Sequence, residues 1–143
     1  MIEQIKKEPC KKVTTYAAGT KDPNGYLIEL YKDGEKTAVY LTVATPGSFK
    51  GYHLHQVRQS HYFCIRGKVK ISVVEGKQKV EHVLSADNPE RLLLPTNVYI
   101  GIENIGDEDA WLINYPNPAY DPSLKGEQLD KTPEEIEKLI SES

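Results

Sequence analysis

Turn signals cut this chain at short intervals, and that spacing limits its fold more than any other feature. Pro23-Asn24-Gly25, Asp33-Gly34, Pro46-Gly47, Glu75-Gly76, Asn88-Pro89 and Gly106-Asp107 are residue pairs whose backbone preferences favour reversal. Between them lie short runs rich in β-branched and aromatic residues: Tyr26–Tyr31, Ala38–Ala44, Tyr52–His55, His61–Arg66, Val69–Val74, Lys79–Leu84, Arg91–Leu94, Val98–Asn104 and Ala110–Tyr115. Apolar and polar residues alternate in the clearest of them. Val69, Ile71 and Val73 share one side, and Lys68, Lys70 and Ser72 the other. One strand plus turn takes about ten residues, which leaves no room for the helical crossovers that parallel sheets need. The pattern predicts an all-β sandwich or barrel.

The end of the chain differs. The stretch from Asn114 (NYPNPAYDPSLKGEQ) holds three prolines and is expected to cross the molecule as an irregular loop. Thr132 reads as an N-cap, with Pro133 at the first helical position and Glu135 closing a capping box. Ile136, Leu139 and Ile140 form one apolar stripe, so Pro133–Glu142 is expected to be a short packing or lid helix. At 143 residues the chain suits a single domain that buries roughly 70 % of its unfolded surface. The barrel is placed at about residues 13–116, with the loop and helix at 117–143.

Composition removes several function classes. The net charge is −3 and no Lys/Arg face is evident, which argues against nucleic-acid binding. No run approaches the ~18 apolar residues of a membrane span, and MIEQIKKEPCKK lacks a signal-peptide core. Cys10 and Cys64 are too few for a disulfide framework. A cytoplasmic protein with no membrane partner is the resulting expectation. Cys64 is assigned a small apolar role and Trp111 a place in the core. Nine tyrosines stand against two phenylalanines and one tryptophan. Aromatic bodies with polar tips suit strands that face a wet cavity.

Three of the four histidines fall within nine residues: His53, His55 and His61. In GYHLHQ, His53 and His55 are two apart on a strand and project from one face. Burying two imidazoles for packing alone is costly, so the pair points to chemistry, either metal ligation or acid–base catalysis.

Gly51, His53, His55 and Gly67, followed by Pro95 and Asn104 in LPTNVYIGIEN, resemble the two motifs of the cupin superfamily. The resemblance implies a double-stranded β-helix, that is, a jelly-roll barrel. The positions of the remaining metal ligands in metal-binding cupins hold Ser60 and Ile100 here. Neither is a useful donor, so no metal and no cofactor are expected.

Further blocks resemble the sugar-nucleotide branch of that superfamily, the dTDP-4-dehydrorhamnose 3,5-epimerases and the dTDP-sugar 3,4-ketoisomerases. They are Asp22–Glu29, Lys50-Gly51-Tyr52-His53, Leu84–Asn88, Leu94-Pro95 and Tyr120-Asp121-Pro122. The resemblance implies proton abstraction beside the ketone of a nucleotide-activated 4-keto-6-deoxy sugar in polysaccharide or deoxysugar biosynthesis. His53 is then the base and His55 a partner that shuttles the proton. Lys50 stands for a phosphate-contacting arginine, Glu29 for a nucleotide contact, and Asn24 replaces a second arginine. The catalytic tyrosine of the family falls on Asn114, with Tyr115 one residue along and assigned the catalytic role. Ser60, Tyr62, Arg66 and Asn114 complete the expected substrate lining, and Arg58 is a further phosphate candidate. A homodimer is the expected assembly. The alternative is a small-molecule-binding cupin, either without turnover or with a metal on unusual donors such as His53, His55 and Gln59.

Overall fold

The computed structural model describes residues 11–33, 37–88, 90–117, 121 and 123–142. Cys10, Gly34, Pro89, Tyr120 and Pro122, which the motifs and turns above include, lie outside the described residues. Eleven strands and one helix follow in order: β1 Lys11–Tyr16, β2 Pro23–Asp33, β3 Thr37–Ala44, β4 Phe49–His55, β5 Ser60–Arg66, β6 Lys68–Glu75, β7 Gln78–Ser85, β8 Arg91–Leu94, β9 Tyr99–Asn104, β10 Ala110–Asn114, β11 Gln128–Asp130 and α1 Pro133–Ser141. Among the described residues no helix is long and apolar enough to cross a membrane.

The strands form two sheets in which every pairing is antiparallel. One sheet has the order β1-β2-β3-β10-β5-β8 and the other β11-β4-β9-β6-β7. Strands far apart in sequence are neighbours, β3 with β10 and β4 with β9, so the chain winds twice around one interior. This is the double-stranded β-helix expected from the motifs. Its core holds Val69, Ile71, Leu84, Leu94, Val98, Ile100, Ile102, Ala110 and Leu112, drawn from both sheets. Burial alternates along β5 and most of β6, as period-2 patterning requires.

Two motif residues act through the backbone. Gly67, between β5 and β6, has φ 77°, and a Cβ there would lie 3.1 Å from the Asp109 carbonyl oxygen. Asn104 is buried, and its Nδ2 donates to the carbonyls of Ala44 (2.9 Å) and Glu108 (2.8 Å), while Gly106 N donates to its Oδ1. It ties β9 to the β3 end and to the turn into β10.

The helix is where the cap predicted it, one residue shorter. Thr132 and Glu135 exchange the two capping-box bonds. Ile136 is fully buried in a second cluster with Tyr52 and Val74.

Four expectations need correction. A strand, β11, lies where an irregular loop was expected, pairing with β4 at Gln128↔His55 and Asp130↔His53. β10 ends at Asn114, so Tyr115 lies beyond the strand. Lys11–Tyr16, absent from the predicted strands, is one, because it pairs along β2. Trp111 is half-buried, with the Arg66 guanidinium 5.3 Å over its ring.

Candidate functional site

A cavity of about 420 Å³ opens between the sheets, of the size that holds a small organic ligand. One wall is a row across four strands of the first sheet. Glu29 on β2 is opposite Tyr40 on β3, Tyr40 is opposite Asn114 on β10, and Asn114 is opposite Tyr62 on β5. All four line the cavity. Leu27 and Thr42, two residues along their strands, line it as well, as the pleat dictates.

The facing wall is β4, which carries Lys50, Gly51, His53 and His55 into the cavity. Strict alternation would put Lys50 on the opposite face from the two histidines. A bulge prevents this. Against β9, Lys50 pairs Ile102 and His53 pairs Ile100, so three steps on β4 match two on β9 and the faces switch. Gly51 sits in the bulge at φ 132°, where a Cβ would fall 2.7 Å from the Ile100 carbonyl oxygen. Only glycine fits that approach.

Each histidine has its own partners: β11 supplies that of His53, and Arg58, held by the residue before β11, is that of His55. His53 Nδ1 lies 2.6 Å from Asp130 Oδ1. Burial alone would raise the Asp130 pKa, but the hydrogen bonds from Gln128 and His53 and the histidine charges outweigh it and hold the group below its ordinary value. The carboxylate is therefore ionised at neutral pH and can only accept, so His53 Nδ1 carries a proton, and in the neutral ring the lone pair is on Nε2. Gln128 Nε2 donates to the same oxygen at 3.0 Å.

His55 is placed differently. Arg58 Nη2 lies 3.0 Å from His55 Nδ1. Arg58 is itself held by Glu127, with Nε 2.8 Å from Oε1, while the backbone N–H groups of Val57 and Arg58 each donate to Oε2 at 3.3 Å. Arg58 Nη2 also donates to Gln128 Oε1 at 3.3 Å. Burial would raise the Glu127 pKa, yet the Arg58 charge and the two backbone donors leave it lowered. The His55 pKa falls to about 4, first through burial and second through the Arg58 charge, with Glu127 opposing.

Lys50 is 8 % exposed. Its ammonium donates to Thr15 Oγ1 and, at 3.1 Å, to Asn24 Oδ1. Thr15 in turn donates to Asn24 Oδ1, and Asn24 Nδ2 to the Phe49 carbonyl. These partners are neutral, and burial lowers the Lys50 pKa to about 8. Tyr62 is enclosed, and burial raises its pKa, so it stays a phenol. Asn114 Oδ1 is buried with no hydrogen-bond partner among the described residues, an unsatisfied acceptor on a residue of the cavity wall.

The structure thus gathers His53, His55, Lys50, Glu29, Tyr62, Asn114 and Arg58 around one cavity. It places three of the expected residues elsewhere. Tyr115 packs against His61, ring centroids 5.8 Å apart, and its carbonyl accepts from His61 Nδ1 at 2.7 Å. Arg66 pairs with Glu108 at 3.4 Å. A register slip opposite Trp111 and Leu112 omits Ile65 from the pairing and turns the end of β5 away. Ser60 is buried but does not line the cavity. Gln59 pairs through its backbone with Asn117, and the described residues hold no cluster of three His, Cys, Asp or Glu side chains suited to a metal ion.

Sequence reasoning missed Asp130, Glu127, Gln128 and Thr15. Asp130 lies 77 residues from His53, and no local pattern links them. The faint signal was Gln128 and Asp130 at strand spacing, inside a segment read as irregular.

Comparison with known proteins agrees with this architecture. The model of the polysaccharide biosynthesis C-terminal domain matches residues 20–126. The probable low-salt glycan biosynthesis epimerase Agl13 of Haloferax volcanii is 25 % identical over 114 residues, covering 70 % of this chain and 73 % of that protein. The capsular polysaccharide assembling protein CapF from Staphylococcus aureus superposes with a TM-score of 0.75 at 23 % identity, over 88 % of this chain. This chain spans 35 % of that protein's length. Oxalate oxidase superposes with a TM-score of 0.60 at 18 % identity, over 71 % of this chain and 55 % of its own. The chain has the cupin-type barrel and belongs to the polysaccharide biosynthesis C-terminal domain family.

Proposed function

We propose that this protein is an epimerase or ketoisomerase acting on a nucleotide-activated keto sugar during glycan assembly. The observation that carries the reading is the His53 Nδ1–Asp130 pair at the cavity wall, which leaves Nε2 as a base. The step it suits is proton abstraction from the carbon beside a ketone. The C–H electron pair moves into the carbonyl, an enolate forms, and the proton passes to His53 Nε2. Asp130 fixes the ring and offsets the imidazolium charge, as a carboxylate behind a base does. An epimerase then returns a proton to the other face of the same carbon. A ketoisomerase protonates the enolate oxygen, removes the proton of the neighbouring hydroxyl and delivers a proton to the former carbonyl carbon. Either course requires an acid. Tyr40 and Tyr62 line the cavity and bring phenols to it, the role that the resemblance gave to Tyr115.

The rest of the cavity suits the remainder of such a substrate. Lys50 offers a cation whose hydrogen-bond partners are neutral, fit to contact a diphosphate as a point charge. Glu29 and Asn114, both lining the cavity, suit hydroxyl or base N–H donors. The relatives named as a glycan biosynthesis epimerase and a capsular polysaccharide assembling protein support the same class.

The test is incubation with dTDP-4-keto-6-deoxyglucose in D2O, with deuterium read at the carbons flanking the ketone. Wash-in is expected for the wild-type protein. His53→Gln should lower its rate by about 10²- to 10⁴-fold, the usual worth of a positioned base. Absence of wash-in, or wash-in unchanged in His53→Gln, overturns the reading.

A further inference from the structure

His53 and His55 share one face of one strand, which suggests two equivalent bases passing a proton between them. Their partners make them unequal. A guanidinium has five N–H donors and no acceptor. With Arg58 Nη2 3.0 Å from His55 Nδ1, that ring nitrogen must accept, and a neutral ring then has its proton on Nε2. At His53 the carboxylate of Asp130 imposes the reverse. We infer that the two histidines are fixed in opposite tautomers, so that beside the His53 base His55 presents a neutral Nε2–H donor to the oxygen on which the enolate charge develops.

The surroundings hold His55 in that state. Its side chain is 13 % exposed, against 43 % for His53. The charged or titratable groups that act on it are Arg58, Glu127 and His53. Glu127 Oε1 is 3.5 Å from His55 Nδ1, too long for a good bond, and the carboxylate is already committed to Arg58 Nε and two backbone N–H groups. An acidic proton on Nδ1 would have to displace the guanidinium. Arg58 is therefore a positioning residue for the tautomer, and Glu127 positions Arg58. A neutral, preoriented N–H in a partly dry site is an effective partner for a developing oxyanion. A two-base shuttle through His55 would instead need a lone pair on Nε2, where the proton sits.

This assignment deepens the keto-sugar reading and rests on it for the identity of the oxygen, but the tautomers can be read without substrate. In the 15N-histidine spectrum of the full chain at pH 7, long-range couplings should show His53 as the Nδ1–H form and His55 as the Nε2–H form. Arg58→Met should move His55 toward the other tautomer and leave His53 as it was. If that variant does not fold, the wild-type spectrum still decides. Finding His55 with its proton on Nδ1, or as the cation, overturns the inference.

The substrate arm uses the same wash-in experiment. A glutamine side chain can place an N–H close to where imidazole Nε2 lies but cannot act as a base. His55→Gln is therefore expected to lose less than 10-fold and His55→Phe about 10²- to 10³-fold, the worth of one oxyanion donor. Equal, complete loss in both variants would restore the shuttle and sink the donor role. Correct tautomers without wash-in in the wild-type protein would sink the keto-sugar reading and leave the tautomer assignment standing.

Discussion

Two buried basic side chains carry the electrostatic cost of this site, and each leaves a mark on stability. His55 has a pKa of about 4 in the folded chain and 6.5 in its ordinary state. Between those values the unfolded chain binds the proton and the folded chain does not. Stability therefore falls as pH drops from 6.5 toward 4, by up to about 3 kcal/mol from this group. Above 6.5 the contribution is flat. Denaturant titrations of wild type and His55→Gln at pH 7 and pH 5 should show the variant losing less. Lys50, at about 8 against 10.5, works in the higher window. The folded chain releases its proton first, so wild-type stability should rise as pH increases from 8 to 10.5, again by up to about 3 kcal/mol. Lys50→Met should lack that rise and be the more stable of the two at pH 8. An equal pH slope in both proteins would show that Lys50 is not desolvated.

At the scale of elements, the short strand β11 has the largest influence for its length. It is a three-residue edge strand, wholly exposed by residue, yet the segment from Glu127 to Asp130 orients both histidines and Arg58. What holds it lies on either side: Gln56 N donates to the Glu127 carbonyl at 2.7 Å, Tyr52 and Lys131 exchange backbone bonds of 2.8 and 3.0 Å, and α1 is anchored by Ile136 against Tyr52 and Val74. Ile136→Ala should cost about 2–5 kcal/mol, as large-to-small changes at buried sites do. If α1 anchors β11, amide exchange at Lys131 and Gln56 should accelerate in that variant before exchange in β6 and β9. This element also marks how far the sequence could be read. Strand alternation and turn spacing identified most of the barrel strands, because each is a local, repeating signal. The same-face histidines were legible for the same reason. The bulge that turns Lys50 toward His53 was not, since it depends on how β4 meets β9. The slip that turns Arg66 away depends in the same manner on β10. Asp130 and Glu127 were hidden because their partners are about 70 residues distant in sequence and three residues are too few to carry a period.

For the molecule as a whole, the two sheets divide the work. The first presents a row of hydrogen-bonding side chains, Glu29, Tyr40, Asn114 and Tyr62, on four adjacent strands. The second presents the histidines. Lys50 joins them, rooted in β4 and bonded to Thr15 on β1 and Asn24 on β2. The net charge of −3 gives no hint of this, because a site needs only a cation in the right place. The segment shared with the family ends at residue 126, one residue short of Glu127. In this chain that range holds β2 to β10, both histidines and Arg58, whereas Glu127, which holds Arg58, and Asp130, which faces His53, stand just past it. A chain with this barrel and other residues at 127 and 130 would keep the cavity and lose what makes its two histidines unlike, so the strap after the barrel, and not the barrel alone, sets the difference between them.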